Sequence, residues 1–356
     1  MTAAPTEAAA ARPADPTPRP RPAKPPLHRV AWVIWRQHRT ALLLLTGALT
    51  FCALLLVYYG HQMHADFATL GLAGCYPGHP SKDCGEKIQQ FAGDQNRASQ
   101  LMAAFLPLPA LFGLFLGAPL LAREYESGTY RFAFTQDAGR TRWLVTKIAL
   151  LTGFTIAATT AFTFVVMWWY APLVPLDGRL GATGIQEIYG AVFVGRAVFA
   201  LALGIFAGAL LRRVVPAIGT TLVGWVAVVV LTIVSLRQHL MTPITLLNPA
   251  APTTAAATVS AGDGDPSGWI LSDIWRTPTG RVLNFGQVEN LQYEASLAGH
   301  KLDFAAYMAS KGYTHTVVYQ PLSRFWDFQI IETAGLAVLA AALLAAAVWL
   351  VRRRAA

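Results

Sequence analysis

Six stretches of mostly apolar residues dominate the chain: Ala41–Gly60, Leu101–Ala122, Ile148–Tyr170, Ile188–Leu211, Val214–Leu236 and Phe328–Val351. Crossing the hydrocarbon core of a bilayer takes about 20 residues of helix, because each backbone N–H and C=O must find a partner within the segment. The second stretch holds Pro107, Pro109 and Pro119, and the fourth holds Arg196. Membrane helices accept such prolines where neighbouring helices satisfy the freed backbone groups. Composition agrees with this reading. Charged residues are 13% of the chain, about half of the ~25% typical of a soluble domain. An ordinary soluble enzyme and a disordered chain are both excluded. The predicted fold class is an all-α polytopic membrane protein with six transmembrane helices.

A formal net charge of +9 would suggest nucleic acid if a single soluble face carried it. The positions of the charges argue for orientation instead. With the N-terminus inside, the inner segments hold seventeen Lys and Arg against five acidic residues. The outer segments hold ten against fourteen, counting Glu332 at the outer end of the last span. Inner loops of membrane proteins are enriched in Lys and Arg. The expectation is a multi-pass protein of the cell membrane with both termini cytoplasmic and no nucleic-acid partner.

The connecting segments differ in character. Residues 1–26 carry eight Pro and eight Ala and read as a disordered cytoplasmic tail. No apolar stretch follows the first residue, so this is not a signal peptide. Residues 27–40, LHRVAWVIWRQHRT, would place Leu27, Val30, Ala31, Ile34 and Trp35 on one helical face and Arg29, Arg36 and Arg39 on the other. That separation predicts an interfacial amphipathic helix touching membrane lipids, with a simple extension of the first span as the alternative. The first outer loop, 61–100, carries Cys75 and Cys84. On an oxidising side they are expected to form a disulfide that stabilises by roughly 2–3 kcal/mol; two free thiols are the alternative. Cys52 lies inside a span and reads as packing. His61 and His64 stand one turn apart at the mouth of the first span, too few for a metal site.

Residues 237–327 form the largest soluble piece, 91 residues long, and are expected to be a small extracellular α+β domain. Met241–Ser267 reads as loop. Asp263-Gly264-Asp265-Pro266 reads as a turn rather than a calcium loop. Short apolar elements follow around Trp269, Trp275, Leu283 and Phe285, then a helix near Lys301–Lys311 and a strand at Thr314–Tyr319. No spacing of Ser, His and acid forms a triad.

Several chemistries are missing from the sequence. None of the six lysines follows a glycine, so there is no phosphate-cradling Gly-Lys-Ser/Thr loop. No His-Glu-x-x-His occurs, and no span carries a cluster of carboxylates. The chain reads as neither an enzyme nor a cofactor protein. If it moves something uphill, the energy comes from another subunit.

The second inner loop, 123–147, is the most informative stretch. Arg123, Glu124, Glu126, Arg131, Asp137, Arg140, Arg142 and Lys147 share it with Tyr125, Tyr130, Phe132, Phe134 and Trp143. A loop that only returned the chain could be a few polar residues long. This one has room for two short helices about a turn at Asp137-Ala138-Gly139, with Gly128-Thr129 starting or bending one of them. Charges mixed with exposed aromatics suit a docking surface for a soluble partner, and Arg123 and Arg140 belong to it. The alternative is an interfacial helix pair anchored in headgroups.

The pattern Ala-Arg-Glu-x-Glu-x-Gly-Thr at 122–129, then Gly-Arg-Thr-Arg-Trp-Leu-x-x-Lys at 139–147, resembles the loop between the second and third spans of ABC-2 type transporter permeases. The segment from Tyr319-Gln320-Pro321-Leu322-Ser323-Arg324-Phe325-Trp326 to Glu332 is similar to the actinobacterial members with a long outer domain before the last helix. The resemblance implies six spans, a leading interfacial helix, a dimer with a second permease copy or paralogue, and a separate ATPase subunit. It also implies that Glu124, Glu126, Gly128, Thr129 and Arg142 lie at or beside the ATPase contact. Many members have a proline at the turn where this chain has Asp137-Ala138. The function implied is ATP-driven alternating access exporting a lipid-like or amphipathic compound. A membrane scaffold or sensor regulated by an ATPase, and an integral-membrane transferase, are the other classes the sequence admits.

Arg196 is the one basic residue inside a span, about 12 Å from its outer end at 1.5 Å per residue. It either pairs with Glu332 as an intramembrane functional charge or snorkels outward as an anchor. Trp168, Trp169 and Tyr170 read as an interface belt.

Overall fold

The computed structural model describes residues 27–75, 82–128, 140–181, 185–247, 268–300 and 304–353. Six helical runs among them are long and apolar enough to cross a membrane. The first is α1, Leu27–Thr69. Its 43 residues measure about 64 Å at 1.5 Å per residue, twice a hydrocarbon core of about 30 Å. Residues 27–40 are helical and run without a break into the first span.

The second run is segmented. It consists of α2 (Lys82–Phe105), α3 (Leu108–Phe112), a π-helical turn at Gly113–Gly117, and α4 (Ala118–Glu126). Its prolines explain the segmentation. Pro107 and Pro109 sit where α3 starts, and Pro119 sits in the first turn of α4. A missing N–H is harmless at a helix start. Within a continuous α-helix Pro119 would leave the carbonyl of residue 115 without its donor and clash with it. The wider π turn shifts that register just before the proline.

The other spans are α5 (Arg140–Tyr170), α7 (Ala191–Leu211), α8 (Val214–Leu231, extended by a π turn at Thr232–Leu236) and α11 (Phe325–Arg353). A short helix, α6 (Ile185–Ile188), precedes α7 and is separated from it by Tyr189 and by Gly190 at φ +80°. Only Arg212 and Arg213 separate α7 from α8, and Arg212 is left-handed at φ 57°.

One helix organises the bundle. α7 packs against α5, α8, α11 and the α3–α4 segment. It is buried nearly all round, with Phe193, Ala197, Leu201 and Ile205 among its enclosed side chains. The other spans keep a wide apolar face outward, including Leu44, Phe51, Leu54 and Tyr58 of α1 and Val215, Val223 and Val230 of α8. That is the expected arrangement for helices facing lipid around a central one.

The second span meets α7 backbone to backbone. A Cβ built on Gly204 would stand 2.4 Å from the Gly113 carbonyl oxygen, and one on Gly117 would stand 2.5 Å from the Leu201 carbonyl oxygen. Gly208 is similarly close to the Ala118 carbonyl. Gly113 with Gly117, and Gly204 with Gly208, are each spaced by four. Small residues at that spacing let two membrane helices approach until their backbones touch.

One end of the bundle carries a three-stranded antiparallel sheet of order β1-β3-β2: β1 Ile244–Leu247, β2 Trp269–Arg276 and β3 Thr314–Gln320. Ile244 pairs with Tyr319, and Trp269 pairs with Gln320. Two helices, α9 (Phe285–Leu297) and α10 (Phe304–Ser310), bury Ala295, Phe304 and Met308 against Trp275. The 237–327 piece is therefore mixed α and β. It differs from the sequence expectation at β1, which falls in the stretch read as loop, and at α9, which was not anticipated as a helix. The expected turn at 263–266 lies outside the described residues. Trp269 packs edge-on against Phe328 with ring centres 6.2 Å apart, and Gln320 donates to the Met241 carbonyl at 2.7 Å. These contacts seat the sheet on α11 and on the end of α8.

We call this the sheet end of the bundle. The opposite end, where α4, α5, the α7–α8 turn and α11 carry Arg123, Lys147, Arg212, Arg352 and Arg353, is the basic end. Near the sheet end Cys75, which closes the 3₁₀ turn Leu72–Gly74 after α1, forms a disulfide with Cys84 in the first turn of α2. Cys52 is a half-buried free thiol. His64 lies over Trp168 with its Nε2 3.0 Å from the Trp168 carbonyl oxygen, so it packs at the mouth of the first span.

The glycine contact yields a direct test. Gly204→Leu should lower the melting temperature in detergent by several degrees, since its side chain must push two backbones apart. Gly219→Leu, on an exposed face with open space around it, should leave it unchanged. Equal melting temperatures in a thermal scan would refute the backbone contact.

Candidate functional site

Two constellations of polar side chains stand out, one at each end of the bundle. At the basic end, α4 runs to Glu126 and α5 starts at Arg140. Ser127 and Gly128 follow α4, with Gly128 at φ +69° closing the helix. Thr129, Arg131 and the Asp137-Ala138-Gly139 turn lie outside the described residues, as does the side chain of Arg140.

The two glutamates expected at a partner contact are engaged within the chain. Glu124 Oε1 accepts from the buried Lys147 Nζ at 2.7 Å, joining α4 to α5. Glu126 Oε1 accepts from the backbone N–H of Val214 at 3.0 Å. Val214 is the first residue of α8, so this carboxylate caps a helix N-terminus and meets its positive dipole end. Between them, Tyr125 has the Arg212 guanidinium over its ring at 5.3 Å. Residues 124–126 thus tie the end of α4 to α5 and to the α7–α8 turn. Arg123 and Arg142 are exposed at the same end.

At the sheet end lies a buried quartet of charges. Arg196 comes from α7, Glu187 from α6, Arg237 from the turn after α8, and Glu332 from α11. All four are buried, and Arg237 is 0% exposed. Arg237 grips Glu332 with two nitrogens, Nε to Oε1 at 2.5 Å and Nη2 to Oε2 at 3.0 Å. Its Nη1 is 2.5 Å from Glu187 Oε1. Arg196 pairs with Glu187 through Nη1, and its Nη2 lies 3.9 Å from Glu332 Oε2. Each cation faces both anions, and the formal charges sum to zero.

Two buried glutamines complete the arrangement. Gln186 Nε2 donates to Glu332 Oε1 at 3.4 Å. Gln329 Nε2 donates to the Gln186 carbonyl at 3.1 Å, while its Oε1 accepts from the Val192 N–H at 2.9 Å. That last bond satisfies one of the free donors at the start of α7. Gly190 makes room for it, because a Cβ there would stand 2.8 Å from Gln329 Oε1.

Of the residues singled out from sequence, Arg196 and Glu332 are brought together here, and Arg196 is enclosed rather than reaching outward. Glu187, Arg237, Gln186 and Gln329 were not anticipated. Glu187 was counted as loop and Arg237 as the residue after a span, so only their tertiary pairing reveals them. Among the described residues no group of three or more His, Cys, Asp and Glu is placed to hold a metal ion.

Paired and hydrogen-bonded, a buried charge is tolerated; stripped of its partner it destabilises by about 3–5 kcal/mol. Glu332→Gln leaves three charges of the quartet and should lower thermal stability sharply. The double change Arg237→Met with Glu332→Met leaves the neutral Arg196–Glu187 pair and should recover most of the loss. A double variant as unstable as the single one, measured by melting in the same detergent, would overturn this balance.

The family model described as "ABC-2 membrane transporter related" matches residues 46–237, more than half of the chain. The match spans α1 to Arg237 and so includes the basic-end junction and three members of the quartet. No curated protein and no solved structure matches the chain.

Proposed function

The chain belongs to the ABC-2 membrane transporter related family, and from that premise we propose that it is the permease subunit of an ATP-driven transporter whose ATPase is a separate chain. The family match over 46–237 carries this reading. We assign residues 123–147 to the ATPase contact and place the basic end in the cytoplasm, as the Lys and Arg distribution favours. The Cys75–Cys84 disulfide at the opposite end is consistent with an oxidising exterior there.

In this reading the ATPase docks on the exposed surface of the loop, which includes Arg123 and Arg142. Glu124 and Glu126 are positioning residues that root the loop in the bundle. A push on the loop then enters α5 through Lys147 and α8 through the capped Val214. Because α4 touches α7 backbone to backbone, little of the displacement is absorbed by side chains. A second copy or a paralogue completes the pathway, and access alternates as the two halves rock. The cargo is lipid-like or amphipathic and moves outward. The long apolar outer faces of α1 and α8 give it a route from the bilayer. The permease itself makes and breaks no bond.

Two measurements test this. In a Cys52→Ser background, Ser127→Cys should react with a membrane-impermeant thiol reagent only when the cytoplasmic face is open; labelling from outside would invert the assignment. Arg123→Glu with Arg142→Glu should reduce co-purification of an ATPase encoded in the adjacent reading frame by about tenfold or more, the scale of losing two interfacial charges. Its melting temperature should match that of the parent. Undiminished co-purification would refute the docking surface.

A further inference from the structure

At the basic end the start of α5 and the last turns of α11 line a groove of about 650 Å³. Its floor is Ile148, Leu344 and Ala345, its wall is Trp349, and its rim is Arg352 and Arg353. Leu344 and Arg352 are eight residues apart, about 12 Å along the helix. The apolar part therefore lies within the hydrocarbon and the rim lies at headgroup depth.

At the same end Lys147 is neutralised by Glu124; the rim cations are not. Among the described residues no carboxylate is within ion-pair distance of Arg352 or Arg353. The Arg353 guanidinium rests 5.2 Å over the exposed Trp349 ring. That holds the cation at the groove mouth with its outer edge free. An apolar trough ending in two uncompensated guanidiniums matches a molecule with an acyl chain and an anionic head.

The geometry points to a binding site for an anionic phospholipid, drawn from the leaflet that meets the basic end. One acyl chain fills the groove between α5 and α11, and the phosphate is held by Arg352 and Arg353. A zwitterionic lipid carries its own cation beside the phosphate and gains less from two arginines. The site shares only Val145 with the segment assigned to the ATPase and does not depend on that assignment.

The test uses the full chain in detergent micelles, titrated with phosphatidylglycerol or phosphatidylcholine and read by native mass spectrometry. The parent should retain phosphatidylglycerol in preference to phosphatidylcholine. Each arginine-to-glutamine change should weaken phosphatidylglycerol binding about fivefold. Ala345→Trp fills the trough and leaves both cations, so retention should fall while the charge stays. Val145→Trp, from the opposite wall of the groove, gives a second filler should the first fail to fold. If the fillers bind phosphatidylglycerol as the parent does, the lipid is gathered by charge alone and the site is refuted. Undiminished binding in Arg352→Gln with Arg353→Gln refutes the headgroup contact. A shift from dimer to monomer in the fillers, with no lipid on the parent, would assign the groove to a second copy and overturn the proposal.

Discussion

Two guanidiniums and two carboxylates stay ionised out of water only while each faces an opposite charge. This requirement fixes the sheet end of the molecule. Glu187 is useful to Arg196 only if α6 folds back against the start of α7. Arg237 reaches both acids only if the end of α8 turns inward, as the π and 3₁₀ turns at Thr232–His239 make it do. Glu332 completes the balance from α11. The strands β1 and β3 leave directly from the ends of α8 and α11, so the placement of the sheet follows from the same pairing. Apolar packing alone would allow these helix ends to slide; four mutually dependent charges do not.

The basic end is held by a different kind of interaction. There the unsatisfied N–H of Val214 meets the Glu126 carboxylate, and the Glu124–Lys147 pair closes the gap between α4 and α5. These contacts are partly open to solvent and individually modest, on the order of 1 kcal/mol. The sheet end is thus tied by buried charge pairs and the basic end by weaker, more accessible contacts.

The spans were legible in the sequence because each is a long apolar run, and a run of that length has few alternatives. Their segmentation was legible only in part. Pro107, Pro109 and Pro119 announced irregularity, but not that a π turn would absorb it. The spacing of Gly113 with Gly117 and Gly204 with Gly208 was visible and names a close contact, though not which helices make it. Helix α9 also had a signal: Asn284 and Gln287 form a reciprocal cap, an Asn-x-x-Gln pattern at its start. The quartet was opaque. Arg196 and Glu332 were suspect as charges in apolar runs, while Glu187 and Arg237 sit among ordinary loop residues and gain meaning only from contacts across the fold. For the same reason Glu124 and Glu126 read as surface groups, although their partners are 23 and 88 residues away.

The interruption at Leu106 and Pro107 divides the second membrane-crossing segment into two rods with unlike attachments. The upper rod, α2, is stapled by sulfur to the turn that follows α1. The lower rod, α3 through α4, is fused to α7 by contacts too close for any side chain. Neither rod can easily shift against its own anchor. Relative motion between the α1–α2 hairpin and the α7 hub must therefore collect at that one joint. A proline ring and a missing backbone bond leave the chain softest there.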